Sequence, residues 1–226
     1  MLRISIDGAC RRNGKPDCVS AGGIFIQHFT AKGLDYTRTL ADYELHSTNQ
    51  RGEMIALLSA LSYINAHNEE AQIITDSEYL FNAMTKNWTG LWARKGWVTS
   101  TGESVKNRRL WEHIHEEYSI CESNNLEVVF YHIKGHVIPF GKVTASTLLK
   151  ADPMGKKLMQ SVYDKYDTVL EQRVPSKMLL MEKANKLSLK NNGFDLTPEL
   201  LRDFVVSNTM ADIIATECVE AADTLV

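Results

Sequence analysis

Three acidic side chains within the first 76 residues are the ones whose type and position could do chemistry. Asp7 ends the alternating run LRISIDGA, Glu53 lies in TNQRGEMIALLSAL near the start of an apolar helical pattern, and Asp76 closes a second apolar run, AQIITDSEYL. An acid placed where a buried strand stops is poorly explained by folding, because burying a carboxylate costs free energy. Carboxylates that converge repel one another and hold their protons unless a divalent cation neutralises them. Hard oxygen ligands of this kind suit Mg²⁺. The chemistry indicated is metal-assisted, with more than one acid contributing.

The elements that must position these acids follow from periodicity. Leu2, Ile4 and Ile6 alternate with Arg3, Ser5 and Asp7, a strand pattern. The turn-rich segment CRRNGKPDC follows, then AGGIFIQHF and a stretch from Leu34 to Leu45, joined near TAKG. These read as two further strands of an antiparallel meander. Gly22 and Gly23 inside the second strand imply a bulge or tight backbone packing. From Thr48 the period changes: Met54, Leu57, Leu58, Leu61 and Ile64 recur at spacings of three and four, one face of a helix. Residues 71–76 read as a short buried strand, 77–86 and 106–122 as helices, and LEVVFYHIK at 126–134 as a fifth strand. The order β-β-β-α-β-α-α-β predicts an α/β fold, a mixed five-stranded sheet covered by helices.

Composition excludes some classes. The chain has 226 residues, 44% hydrophobic and 23% charged, which suits one good-sized domain or a domain with an appendage. No apolar stretch approaches the ~18 residues of a membrane span. The opening MLRISIDGAC starts a strand at once, so neither a signal peptide nor a membrane partner is expected. Cys10, Cys18, Cys121 and Cys218 lack CxxC spacing, so neither a zinc site nor a disulfide framework is implied, and a cytoplasmic protein is expected. Net charge is −3, yet Lys86, Arg94, Lys95, Lys106, Arg108 and Arg109 cluster with Glu103 as the one acid among them. Trp88, Trp92, Trp97 and Trp111 share that stretch. Bases interleaved with aromatics suit a polyanion with faces to stack on; the bland alternative is a solvated loop with tryptophans anchored in the core.

IDGAC, TNQRGEM, ITDSEYL and IKGH, in this order and spacing, resemble type 1 ribonuclease H over residues 2 to about 160. WARKGW and VKNRRLW resemble the basic protrusion of the family's bacterial members. The resemblance implies an endonuclease that hydrolyses the RNA strand of an RNA·DNA hybrid. It would use two Mg²⁺ ions, with Mn²⁺ as a substitute, and leave 5′-phosphate and 3′-hydroxyl ends. Two cations about 4 Å apart suit an in-line displacement by water. By the same resemblance Asp7 would bridge both metals, Glu53 and Asp76 would each bind one, and Asp152, in LLKADPMGKKL, is the candidate fourth acid. Asp152-Pro153 would serve equally as a helix N-cap, and the loop from His136 to Asp152 is longer than the family's usual one. His136 in KGH matches the family's loop histidine, placed to move a proton near the scissile phosphate.

Substrate contacts are carried over in the same way. Asn49 and Gln50 match the pair that reaches the hybrid minor groove, where 2′-hydroxyls mark the RNA strand. Gly8, Cys10 and Asn13 match the loop beside the RNA, and Ala9 stands where the family often has serine. Arg94, Lys95, Trp97 and Lys106 would hold the DNA strand through phosphates, without sequence preference. The alternatives are a hybrid-binding module without catalysis and a DNA-acting nuclease or strand transferase of the same fold.

Beyond Pro153 the sequence reads as helical, with Leu158, Val162, Tyr166 and Leu170 spaced by four. Nine bases and eleven acids in residues 153–226 argue against a basic nucleic-acid tail. The expected organisation is a catalytic domain over 1–165 and a helical C-terminal extension over 166–226. The extension would pack on the sheet or dock a protein partner, and the protein is expected to be a monomer.

Overall fold

The computed structural model describes residues 1–136, 138, 155–173 and 196–225. Asp152 lies outside the described residues. Five strands form one sheet in the order β3-β2-β1-β4-β5: β1 (Leu2–Arg11), β2 (Val19–Thr30), β3 (Gly33–Leu45), β4 (Ala71–Thr75) and β5 (Val128–His132). The first three pair antiparallel, as the meander pattern predicts, and β4 and β5 run parallel to β1. The mixed sheet flanked by helices is therefore the expected one.

Helix α1 (Asn49–His67) starts where Thr48, in extended conformation, accepts a hydrogen bond from the Arg51 amide. It ends at Asn68, whose φ of 52° places it in the left-handed region that asparagine tolerates. α2 (Glu78–Thr85) and α4 (Arg108–Ser123) follow the sequence pattern. A further short helix, α3 (Trp88–Arg94), occupies the basic, tryptophan-rich stretch to which the sequence pattern assigned no element. Asn87 explains the break: its φ of 51° interrupts α2, and its side chain then caps the Gly90 amide at 3.2 Å. Two helices come from the C-terminal part, α5 (Lys156–Arg173) and α6 (Pro198–Ala222), and α6 is capped by Thr197 with proline at its start.

The sheet is covered on both sides. Leu2, Ile4, Ile6, Ile24, Ile26 and Ile73 point to α1 and α4, joining Met54, Leu57, Leu61, Trp111 and Ile114. Phe25, Ile74 and Tyr131 point the other way and share a second core with Leu158, Val162, Tyr166, Phe204, Met210 and Ile214. The expected boundary between residues 165 and 166 thus falls inside α5, and α6 rests directly on β1 and β2. The paired glycines show how close the packing is. A Cβ on Gly22 would sit 2.6 Å from the Ala56 amide in α1, and one on Gly23 would sit 2.1 Å from the Ala211 carbonyl in α6. Tight packing, one helix on each face, is what these glycines permit; the strand's register shift lies instead at His28–Phe29.

Burial by α6 also changes how β1 is read. The alternation of its sequence predicts one apolar and one polar face, but Arg3, Ser5 and Asp7 are all buried. Each meets α6 in turn. Arg3 lies 3.6 Å from Asp203 and over the Phe204 ring, Ser5 donates to Ser207 at 2.7 Å, and Asp7 feels the charge of Asp212. The match is geometric: the four strand residues from Arg3 to Asp7 advance about 13 Å and the nine helix residues from Asp203 to Asp212 about 13.5 Å, so the two elements stay in step.

Candidate active site

Four acids meet where the pairing of β1 with β4 ends, at Ile6 and Thr75; the sequence pattern placed Asp7 at a strand end, but β1 runs on to Arg11 against β2, so Asp7 sits mid-strand. Asp7 is 5% exposed. One carboxylate oxygen accepts from the Gly8 amide at 2.7 Å, and the other, Oδ2, is buried without a partner among the described residues. Burial, followed by the charges of Asp76 and Asp212 and lastly that of Glu53, pushes the Asp7 carboxyl well above the usual carboxylate range. Asp76, at the end of β4, is raised by burial and by Asp212, while His136 acts in the opposite direction. Glu53, in the first turns of α1, is raised by burial; it accepts from Ser77 at 2.5 Å and from the Asn49 amide group at 3.3 Å. Ser77 also caps α2, so the seat of Glu53 is tied to the start of the next helix.

Asp212 comes from the middle of α6, and its Oδ2 lies 3.4 Å from Nδ1 of His136. His136 itself is 75% exposed and adopts a φ of 53°. The residue before it packs tightly: a Cβ on Gly135 would fall 1.7 Å from Oδ2 of Asp76, so only glycine lets this loop cross the acid. The structure therefore brings Asp7, Glu53, Asp76 and His136 together and adds Asp212, which sequence reasoning missed. One signal pointed to it: Ala211-Asp212 repeats the dipeptide Ala151-Asp152.

Like charges gathered this way need a counter-charge. Among the described residues, no group of three or more His, Cys, Asp or Glu side chains is closed into a ready cage. The acids instead act on one another at close range, Asp76, Asp212 and Glu53 each raising the Asp7 carboxyl. Such a site fits Mg²⁺, which keeps several waters and takes few protein ligands. The orphaned Asp7 Oδ2 is the atom that most needs a cation, and the all-oxygen donor set matches the ion's preference.

The substrate residues divide into groups. Asn49, Gln50, Gly8 and Cys10 border the acids; Gln50 accepts from Asn107 at 3.4 Å, and Cys10 interacts with the Asn49 backbone. Gly8 has a packing reason beyond substrate approach, since a Cβ there would lie 2.5 Å from the Glu53 amide. Asn13 is exposed in the β1–β2 turn, away from the acids. Arg94, Lys95 and Lys106 are exposed along α3 and the segment after it. Trp97 is not a surface aromatic: it is 9% exposed, set edge-on to His115. Trp88 and Trp92 are the half-buried pair, and with Leu91, Lys95, Val98 and Thr99 they line a cleft of about 350 Å³. Arg51 is held by a carboxylate, Glu44, and braces the start of α1.

Comparison with known proteins bears on the fold and the family. The RNase H family matches residues 2–145. The ribonuclease H of Acetivibrio thermocellus is 32% identical over 138 residues, 60% of this chain and 84% of that protein. That of Cereibacter sphaeroides is 35% identical over 130 residues, 58% of this chain and 80% of that protein. Among solved structures, LC9-RNase H1, a type 1 RNase H with the type 2 active-site motif, is similar with a TM-score of 0.50 and 22% identity, covering 60% of this chain and 64% of that one. The PFV RNase H domain gives 0.50 and 20%, covering 60% and 79%. These likenesses place the sheet and helices in the ribonuclease H-like class of α/β folds. The chain belongs to the RNase H family, and with it to the ribonuclease H hydrolases. The family match ends at residue 145, before α5 and α6. Among the described residues, no helix is long and apolar enough to cross a membrane.

Proposed function

We propose that this protein hydrolyses the RNA strand of RNA·DNA hybrids, with Asp7, Glu53, Asp76 and Asp212 holding two divalent metal ions. The observation that carries this reading is the buried Asp7 carboxylate with an unpartnered oxygen, flanked by Asp76, Asp212 and Glu53. When bound, Mg²⁺ or Mn²⁺ would activate water and neutralise charge on the leaving 3′ oxygen, giving 5′-phosphate and 3′-hydroxyl ends. The protein's own part is positional. Ser77 and Asn49 fix the two oxygens of Glu53, and the Gly8 amide fixes one oxygen of Asp7. Gly135 lets the loop lie on Asp76, which sets His136 at the mouth of the site. From there His136 can take a proton from water or pass one to the product, with Asp212 as its partner.

Asn49 and Gln50 stand beside Glu53 and would reach into the minor groove, where the 2′-hydroxyl separates RNA from DNA. Gly8, Cys10 and Asn13 would line the RNA strand. Arg94, Lys95 and Lys106, with the Trp88–Trp92 cleft, would hold the DNA strand by phosphate and sugar contacts. Trp97 supports that surface from beneath.

Asp212 takes the role of fourth acid because it acts on Asp7, Asp76 and His136 together. The test is cleavage of a uniformly labelled hybrid and of duplex DNA, with and without Mg²⁺, by wild type and by Asp212→Asn and Asp152→Asn. Metal-dependent cleavage of the hybrid alone is expected. Asp212→Asn should lose roughly 10³-fold or more, in line with removing a member of a catalytic unit, and Asp152→Asn should lose little. The reverse ranking would move the fourth acid to Asp152. Cleavage of duplex DNA at a comparable rate would overturn the substrate assignment.

A further inference from the structure

One rung below the acids, β1 and α6 are joined by polar bonds that the chemistry described so far does not use. Ser5 is 0% and Ser207 1% exposed, and their hydroxyls are 2.7 Å apart. The Ser207 hydroxyl spends its single proton on the Phe204 carbonyl at 3.1 Å, so Ser5 must be the donor between them. Beside this pair Asn208, 3% exposed, points its amide at the carbonyl of Ile6 at 3.5 Å. Ile6 precedes Asp7, and Asn208 lies one helical turn before Asp212. Both bonds therefore cross from the strand that carries one metal-site acid to the helix that carries another.

A dry helix–sheet contact made only of apolar side chains tolerates small slides, because dispersion and burial are not directional. A hydroxyl pair in the same place does not, because each buried donor must keep its acceptor. A slide of one helical residue, about 1.5 Å, would break both bonds and carry Asp212 away from Asp7. Such a displacement is large for a site whose ligands need sub-ångström placement.

We propose that Ser5, Ser207 and Asn208 act as positioning residues: their bonds between β1 and α6 fix the register that sets Asp212 opposite Asp7. This rests on Asp212 serving as the fourth acid, and it specifies how a residue far along the chain from the other three is held in place. None of the three positioning residues touches substrate or metal.

The double variant Ser5→Ala/Ser207→Ala tests this directly. Removing both partners leaves an apolar pair and little change in stability, whereas Ser207→Ala alone strands the Ser5 hydroxyl and lowers stability. Mn²⁺ binding is measured by calorimetry without substrate, alongside kcat and KM on a hybrid. The double variant should bind Mn²⁺ about tenfold more weakly, the scale seen when a residue orienting a metal ligand is removed. Its kcat should fall to a similar degree with KM for the hybrid unchanged. Thr209→Val is the control, since the Thr209 hydroxyl is buried on the same helix but bonds only to Val205 within it. It should leave Mn²⁺ binding at the wild-type level. Wild-type Mn²⁺ affinity in the double variant, or an equal loss in Thr209→Val, would overturn the register role while leaving the nuclease reading intact. Wild-type Mn²⁺ binding and cleavage in Asp212→Asn would instead remove Asp212 from the site, and the register role with it.

Discussion

The two faces of the sheet are built in different ways. The face under α1 and α4 is made by residues between Leu2 and Phe130 and lies wholly within the family match. Its core is apolar and continuous, and it presents Glu53. The opposite face is closed by α5 and α6, which begin after the match ends. There the strand contributes Arg3, Ser5 and Asp7, and the helix answers with Asp203, Ser207 and Asp212. One face gains its order from hydrophobic periodicity, the other from a polar ladder under a helix that returns from the C-terminal end. The candidate active site sits where the two meet. A helix far along the chain from β1 can thus bring Asp212 beside Asp7, provided it finds its register.

Removing the returning helix breaks the comparison most severely. A chain ending after Arg173 loses Phe204, Val206, Met210 and Ala211, all fully buried, and uncovers Phe25 and Ile74. Phe204 alone, edge-on to Tyr131 at 4.8 Å, is worth about 3–5 kcal/mol if cut to alanine. That is a large part of the 5–15 kcal/mol that holds a typical domain together. The truncated protein should show no cooperative thermal transition and no cleavage. A truncated protein that melted cooperatively would mean that the α1 face suffices for folding and that α6 is an addition.

The two faces also differ in how far they can be read from sequence. Strand β1, helix α1 and strand β4 carry clean periods of two and of three to four, so Asp7, Glu53 and Asp76 stand out where those periods stop. Asp212 does not stand out. It sits mid-helix, where an acid ordinarily means a solvated face, and beyond its Ala-Asp dipeptide only the burial of β1's polar side shows otherwise. Arg3 and Ser5 mislead for the same reason: polar residues on alternate strand positions normally face water, and here they face a helix far along the chain. In the tryptophan-rich stretch, basic and aromatic residues announced a binding surface but not which rings turn inward. Packing decides that, burying Trp97 and Trp111 and leaving Trp88 and Trp92 half-exposed.

Gly23→Ala probes the second face with a single methyl group. The added carbon would strike the backbone of α6 at Ala211 and Ala215, which cannot rotate away as a side chain can. The helix must move or the strand must bend, at a cost of about 1–3 kcal/mol. Because the contact lies beside Asp212, Mn²⁺ affinity should fall together with thermal stability. Gly22→Ala meets Ala56 and Gly52 on the other face, close to α1. It should destabilise to a similar degree yet leave the Asp212 side of the site in place. Equal metal affinity in the two variants would mean that both faces hold the acids alike.

The smallest effect is expected at the junction itself. Burial, Asp76 and Asp212 raise the Asp7 carboxyl in the folded protein above its unfolded value near 3.9. A group raised on folding contributes stability that is fully present below the unfolded value and is lost as pH climbs through the folded one. Metal-free protein should therefore lose stability as pH climbs above about 4, and Asp7→Asn, which carries no charge, should escape that loss. Melting curves without metal should place the variant above wild type at pH 7 and level with it near pH 4, even though its cleavage is abolished. Asp212→Asn should recover only part of the same gain, because it removes one neighbour's charge and leaves both the burial of Asp7 and the charge of Asp76 in place. If instead wild type and Asp7→Asn melted together at both pH values, the repulsion assigned to this junction would be absent, and the case for a cation there would lose its physical basis.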